Sequence, residues 1–533
     1  MQYVITETDK LLIQQNNIKS KIKISILSND KKILGVLTGI AQIGTYTIDA
    51  DSDIRRTASL DLQLDNYDSS IERILKSYLA LDFLFEIGIY NERTLEYKYY
   101  QMGILCITTA NTSYNVNSNI LSINLSDKFA KLDGTRNGQI GGAPTITIPA
   151  ENEDGTKNTL RSSLISIIKS ETNIKDYIID DVGEYYGMPQ NNNNYLEYRK
   201  VNPNWNIIPY DLSFSAGNTV AELMTDIRDL YPNCQLYFDI YDNFCFNMIP
   251  SNNNAPISLS NEYLQSIITA NESENVQYDI SSIKNIVEVF GKTYDIDRFC
   301  QNSNLTQNIY NLSIDLYESY KSNQYISFEA TASNPDSPCI NINNLGNIPL
   351  YYEYTNNFIK RNTISAGDTI AIKLSRNPNG NYICYYLGQY QPHALCVLTN
   401  NLNDTVYTKQ YFAKRYNCLE KNIAFVEIPN GEFTIQKIGL ILDSKSGDEF
   451  DNIISDTVAL DNAKYLIYKS SVWNDTVTIT TKLCPWLDVN MKVEYKKQQE
   501  DKPYIYLIKK ISHEFVNGTS TITMYRFSSL YQE

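Results

Sequence analysis

Asn517-Gly518 stands between two runs of strand character, YIYLIKKISHEF and STITMYRFSSLY. An Asn-Gly pair supplies the positive-φ positions of a tight hairpin, whose twist matches that of the strands it joins. A chain carrying this pattern must build part of its core from antiparallel sheet. Similar signals recur from the start. KSKIKISIL and KKILGVLTG flank the short turn SND, and GTYTIDA and RRTASLDLQL make a second strand pair. LALDFLFEIGIY, LEYKYYQMGILCITTANTSYN and NILSINLSDKFAKLDG complete a first β-rich unit ending near residue 130.

Helical spacing breaks in at three places. YDSSIERILKSYL places Ile71, Ile74, Leu75 and Tyr78 on one face. NTLRSSLISIIKSE does the same with Leu160, Leu164, Ile167 and Ile168. Thr219 and Glu222 have capping-box spacing, an apolar stripe runs from Val220 to Leu230, and Pro232 stops the helix. A hairpin follows, with Leu236, Phe238 and Ile240 against Phe244, Phe246 and Met248. GTRNGQIGGAPTITIPAENEDGT reads as a connection and QNNNN as a loop tip. SIKNIVEVFGKTY opens another β unit, which residues 300–470 interrupt with many short strands and Asn/Gly turns, the pattern of a sandwich or jelly roll. Regular strands resume at DTVTITTKL. The expected fold is mainly β with α+β parts.

Charge and composition narrow the function classes. At 533 residues the chain has room for about three or four domains. The net charge of −15 and the lack of a Lys/Arg run argue against a duplex-binding face, though such a surface would let nucleic acid slide past. The 42 tyrosines against 17 phenylalanines fit an AT-rich coding sequence, or a surface of amphipathic rings suited to subunit contacts. The nine cysteines show no CxxC spacing and sit mostly in apolar runs, so they are expected reduced and buried, as in a protein assembled in a cytoplasm. MQYVITETDKLL lacks the basic and apolar regions of a signal peptide, and no run approaches the roughly 18 apolar residues of a membrane span.

Candidate chemistry is sparse. DADSDIRRTASL puts Asp49, Asp51 and Asp53 at positions 1, 3 and 5 of a calcium loop. Ile54 then replaces the required Gly and Leu60 the bidentate Glu, and Arg55 and Arg56 would repel a cation. The stretch is expected to be a turn between strands, its arginines paired with Asp49, Asp51 or Asp53 or reaching a neighbouring subunit. Only two histidines occur; HEFVN at His513 fails HExxH because the fifth position is Asn517. NGQIGG is neither a phosphate loop nor GxGxxG. No catalytic, cofactor-binding or metal residues are assigned. A glycosidase carboxylate pair has no particular candidate among the 61 acidic residues, and the aromatic-rich insert could present a stacking platform for sugars.

Taken in order, TYTIDADSDIRRTASLDLQL, LSDKFAKLDGTRNGQIGGAPTITIPA, NTVAELMTDIRDLYPNCQLYFDIYDNFCFNMIP, IKNIVEVFGKTY and CPWLDVNMKVEY with YIYLIKKISHEFVNGTSTITMYRFSSLY resemble the central baseplate hub proteins of tailed phages and phage-tail-like particles. The resemblance covers most of the chain outside roughly 300–470. It implies two β-barrel-like tube domains, an α+β domain between them, and a β-sandwich-like insertion in the second tube domain. The implied boundaries are 1–130 for the first tube domain, 131–258 for the α+β domain, 259–300 with 471–533 for the second tube domain, and 301–470 for the insertion. It further implies a non-enzymatic homotrimer in the virion tail tip, assembled in the host cytoplasm without membrane insertion and favouring a contractile tail. Expected partners are the tail tube, spike or needle, tape measure and baseplate wedge proteins, with DNA passing through an acid-lined lumen during ejection. The rival readings are a glycan-binding β protein and a cell-wall hydrolase.

Overall fold

The computed structural model describes residues 3–65, 81–107, 113–115, 119–141, 146–152, 155–180, 208–214, 217–230, 234–249, 256–269, 274–300, 302–353, 356–377, 379–447, 450–471 and 475–527. The expected helix in YDSSIERILKSYL and the QNNNN loop lie outside the described residues.

The protein is mainly β with α+β parts. Six strands, β1 (Ser20–Leu27), β2 (Ile33–Asp49), β3 (Arg56–Leu64), β4 (Asp82–Asn91), β5 (Glu96–Ile107) and β6 (Ile120–Asp127), pair in the order β1-β4-β5-β6-β3-β2. β1 also pairs with the first half of β2, so the antiparallel sheet closes on itself there and leaves only the far half of β2 as an edge. Alternation decides the inside: Ile22, Ile24, Leu60, Leu62, Phe83, Phe85 and Ile87 are all buried.

KKILGVLTG and GTYTIDA, expected as separate strands, form one 17-residue strand. A register shift between Ala41 and Ile43 lets β2 follow β3 around the barrel. Gly44 makes this possible. Its φ is +136°, and a Cβ there would lie 2.3 Å from the Ser59 carbonyl oxygen.

The far half of β2 does not stop at the barrel. Thr45 to Asp49 pair with Glu514 to Lys510, so the sheet runs on through Tyr504–Glu514, Thr519–Arg526, Asp475–Lys482 and Asn275–Tyr278. One apolar cluster fills both units, from Leu12 and Ile24 to Ile511 and Met524. The Asn517-Gly518 hairpin is present, but as a four-residue turn in which Gly518 alone takes positive φ, at 62°.

Sequence reading passed over a helix at Glu7–Ile13, whose signal was Thr6 and Asp9 at capping-box spacing. Asp9 is fully buried. Its carboxylate accepts the Thr6 N–H at 2.9 Å and the Tyr100 hydroxyl at 2.7 Å, and it also meets Lys98. Burial pushes this carboxyl up, but the bonds from Lys98, Thr6 and Tyr100 outweigh it and hold it at about 2. Asp9→Ala removes the cap and leaves Tyr100 and Lys98 without their acceptor, so it is expected to cost about 2 kcal/mol. Amide exchange over residues 7–13 should quicken well before the barrel opens; unchanged protection there would refute the anchoring role.

Described residues between Phe129 and Met248 make a second core. The Leu160–Glu171 and Val220–Asp229 helices pack beside a sheet of Cys234–Phe238, Phe244–Met248 and Tyr177–Ile179, the last pair parallel. The Thr219–Glu222 capping box forms as expected.

The region expected to be all β is of two kinds. Arg298–Gln389 contains an eight-stranded sheet around Tyr310, Phe328, Ile340, Ile372 and Leu374. Beyond it, Ile423–Glu427, His393–Thr399, Ile286–Phe290 and Leu442–Lys445 form a four-stranded sheet covered by a helix at Asp456–Ser470. That helix corrects the all-β reading of the interruption. Ser455 caps it, and Val458, Ala459, Ala463 and Ile467 make the buried stripe. Ile286–Phe290, assigned above to the second tube domain, bonds to His393–Thr399 and Leu442–Lys445 instead. It is buried on both faces, with Ile286 on one and Val287 and Val289 on the other, as a central strand of a covered sheet requires.

Candidate functional site

The Asp49–Arg56 turn sits where the barrel, the middle unit and the C-terminal strands meet. The three aspartates are dispersed, not gathered: Asp49 pairs with Lys510 at 2.9 Å, Asp51 with Lys509 at 3.7 Å and Asp53 with Arg228 at 3.0 Å. Lys509 and Lys510 lie on the strand joined to β2, and Arg228 belongs to the Val220–Asp229 helix. Among the described residues no group of three His, Cys, Asp or Glu side chains could hold a metal ion.

The arginines turn away from these aspartates, contrary to expectation. Arg55 stacks its guanidinium 4.0 Å from the centre of the Tyr237 ring and donates to Gln235 Oε1 at 2.8 Å. Arg56 is 1% exposed and among the largest fully buried side chains. Its guanidinium donates to the Phe238 carbonyl oxygen and to Asp488 Oδ2, both at 2.7 Å. Its backbone N–H donates to Asp127 Oδ2 at 2.9 Å, at the end of β6. Burial works against the Arg56 charge, but Asp488, Tyr46 and Asp127 outweigh it and strengthen its hold on the proton. Burial raises the Asp127 carboxyl to about 6 against the bonds from Arg56 and Phe129.

One side chain therefore ties together three distant parts of the chain. Alternation put Arg56 at the inward end of β3, and a cation there must find an acceptor. Asp488, missed in the sequence, had a matching signal: a lone carboxylate among Trp486, Leu487 and Val489, all of them buried.

The seam between β2 and Tyr504–Glu514 carries the second feature. His513 lies opposite Tyr46 and is fully buried. Its Nδ1 meets Ser520 Oγ at 2.8 Å, while its Nε2 is buried without a hydrogen-bond partner. Burial lowers this imidazole to about 3, so it is neutral at ordinary pH. The other histidine, His393, stacks on Phe290 with centroids 4.2 Å apart and places Nε2 2.8 Å from Glu288 Oε1. Near it, Cys418 gives its S–H to the His393 carbonyl, and burial pushes the thiol up to about 12, which keeps it protonated. Ser520, the hydroxyl beside His513, is itself fully buried, so this pair sits inside the core of the seam.

Comparison with known proteins gives a partial match and several distant ones. Residues 430–531 match the family model described as a domain of unknown function, DUF5048. The stretch spans the Asp456–Ser470 helix and the C-terminal strands. No curated protein matches the chain. Among solved structures, the 43 kDa tail protein of prophage MuSo2 from Shewanella oneidensis is similar over 95% of this chain and 99% of its own, at 10% identity and a TM-score of 0.41. The tail protein from Neisseria meningitidis MC58 is similar over 96% and 98%, at 7% identity and 0.42. The prophage tail protein gp18 from Listeria monocytogenes EGD-e is similar over 94% of both chains, at 10% identity and 0.41.

Proposed function

We propose that this chain is a structural protein of a phage tail, the trimeric hub that joins a hexameric tail tube to a central spike. The observation that carries the reading is the seam. A closed six-stranded barrel and a second β unit are fused edge to edge into one sheet, through β2 and Tyr504–Glu514, with one apolar cluster filling both. A ring of tube units needs this kind of lateral contact between neighbours. Here one such contact is made within a single chain, so three copies supply six units around a threefold axis. The ordered resemblance of the sequence segments to hub proteins supports the same reading.

In this role the protein works by position and shape, without catalysis. Its partners are the tube protein above, the spike below, and the tape measure and wedge proteins around it. The net charge of −15 suits a channel through which DNA passes without sticking.

Sedimentation of the purified full chain, alone and with tube and spike proteins, tests the reading. The expected result is a species of three times the chain mass that binds tube protein at one end and spike protein at the other. A strict monomer at all concentrations that joins neither would refute it.

A further inference from the structure

A large cavity lies away from the seam, in a cleft between the middle unit and the inserted region. Its volume is about 1210 Å³. That exceeds the roughly 300–1,000 Å³ of most small-molecule sites and suits a short polymer better than a metabolite. One wall comes from Pro149–Asn152 and Ile208–Leu212, the other from Tyr352, Glu353, residues 357–363 and the segment around Tyr294.

Polar ties fix the walls relative to each other. Lys360 bridges to Glu151 at 2.9 Å. The Tyr210 hydroxyl donates to the Asn452 carbonyl at 2.8 Å and accepts the Ile454 N–H at 3.2 Å. Asn452 in turn donates to the Asp226 carbonyl at 3.2 Å. A cleft held open this way is largely formed before anything enters it, which lowers the cost of ordering on binding.

The lining selects among ligand classes. Its apolar surface combines aromatic rings, among them Tyr352, Phe358 and Tyr386, with aliphatic side chains such as Ile208 and Leu212. Phe358 is 37% exposed. Between the rings stand carboxylates and amides, among them Asp226, Glu353 and Asn362. The Asp226 carboxylate takes no hydrogen bond from the described residues. Cations and carboxylates are nearly balanced around the cleft, and Lys360 is already engaged by Glu151. A polyanion would meet the carboxylates, and an aliphatic peptide would find flat rings in place of side-chain pockets. Flat apolar faces with hydrogen-bond acceptors between them match a neutral sugar chain, which offers C–H faces and outward hydroxyl donors.

We propose that this cleft binds an uncharged oligosaccharide, its ring faces laid on Tyr352 and Phe358 and its hydroxyls bonded to Asp226, Glu353 and Asn362. The inference rests on the cleft alone and stands apart from the assembly of the chain into a trimer.

The test uses the purified full chain. An array of neutral and acidic bacterial surface oligosaccharides is screened first, followed by calorimetry with the best neutral tetrasaccharide. Binding is expected at a Kd of about 10 μM to 1 mM, the range open to a shallow polar site. Phe358→Ala and Glu353→Gln should each weaken it at least tenfold, with melting temperature and sedimentation unchanged. Should Glu353→Gln fail to fold, Asp226→Asn takes its place. The proposal is overturned if no neutral oligosaccharide is retained, if binding survives both substitutions unweakened, or if only polyanions or peptides bind.

Discussion

Replacing Arg56 by Met is expected to destabilise the protein by about 3–5 kcal/mol, the usual result of removing one member of a buried ion pair. The loss comes from what is left behind. Asp488 and the Phe238 carbonyl both lose the guanidinium that donates to them. Arg56→Lys should recover only part of this, because a single ammonium cannot serve two acceptors with the planar fork of Arg. The double variant Arg56→Met with Asp488→Leu should regain much of the loss, since an apolar pair replaces both charges at once. Denaturant unfolding of the wild type, Arg56→Met, Asp488→Leu and the double variant, with exposed Arg93→Ala as control, measures the coupling. Additive losses from Arg56→Met and Asp488→Leu would mean that the pair does not act as a joint.

Acid should weaken the seam through His513. The unfolded imidazole titrates near 6.5 and the folded one at about 3. Since the folded value is the lower one, the stability it contributes is fully present above about pH 6.5. It is lost as pH falls toward 3, because the unfolded chain takes up a proton that the folded chain refuses. By pH 4 the difference amounts to about 3 kcal/mol. The cause is local: a protonated ring would hold a charged N–H at Nε2 with no acceptor. His513→Gln removes this proton from the balance. Unfolding free energies measured from pH 7 to pH 4 should therefore fall less steeply for the variant, by up to one proton. Parallel curves would show that His513 does not set the acid limit.

What could be read in advance follows from the range of the forces. β3, the Leu160–Glu171 helix and the Thr219–Glu222 cap rest on neighbours within a few residues, and their patterns are legible. The Asp456–Ser470 helix was equally local, with Ser455 as its cap, yet its short apolar stripe was submerged among strand-like runs. Arg56 was visible as a charge needing a partner, but Asp488 lies 432 residues away, and no local pattern connects them. The same distance hid the strand partner of β2. The nearby aspartates invited the wrong pairing because each could be satisfied from another element, and was. The cleft was invisible for a further reason: its walls come from segments that share no periodicity and meet only in the fold.

The joint at Arg56 also has a consequence in time. During synthesis the barrel strands, residues 20–127, emerge early and can close among themselves. The guanidinium then waits, first for the Phe238 carbonyl and last for Asp488, while half of β2 waits for a strand beginning at Tyr504. Until Asp488 and the strand beginning at Tyr504 have been made, the nascent chain carries an unfinished edge and an unmatched charge. A chain cut short before residue 504 keeps half of β2 as an open edge, free to pair with the same edge of another such chain.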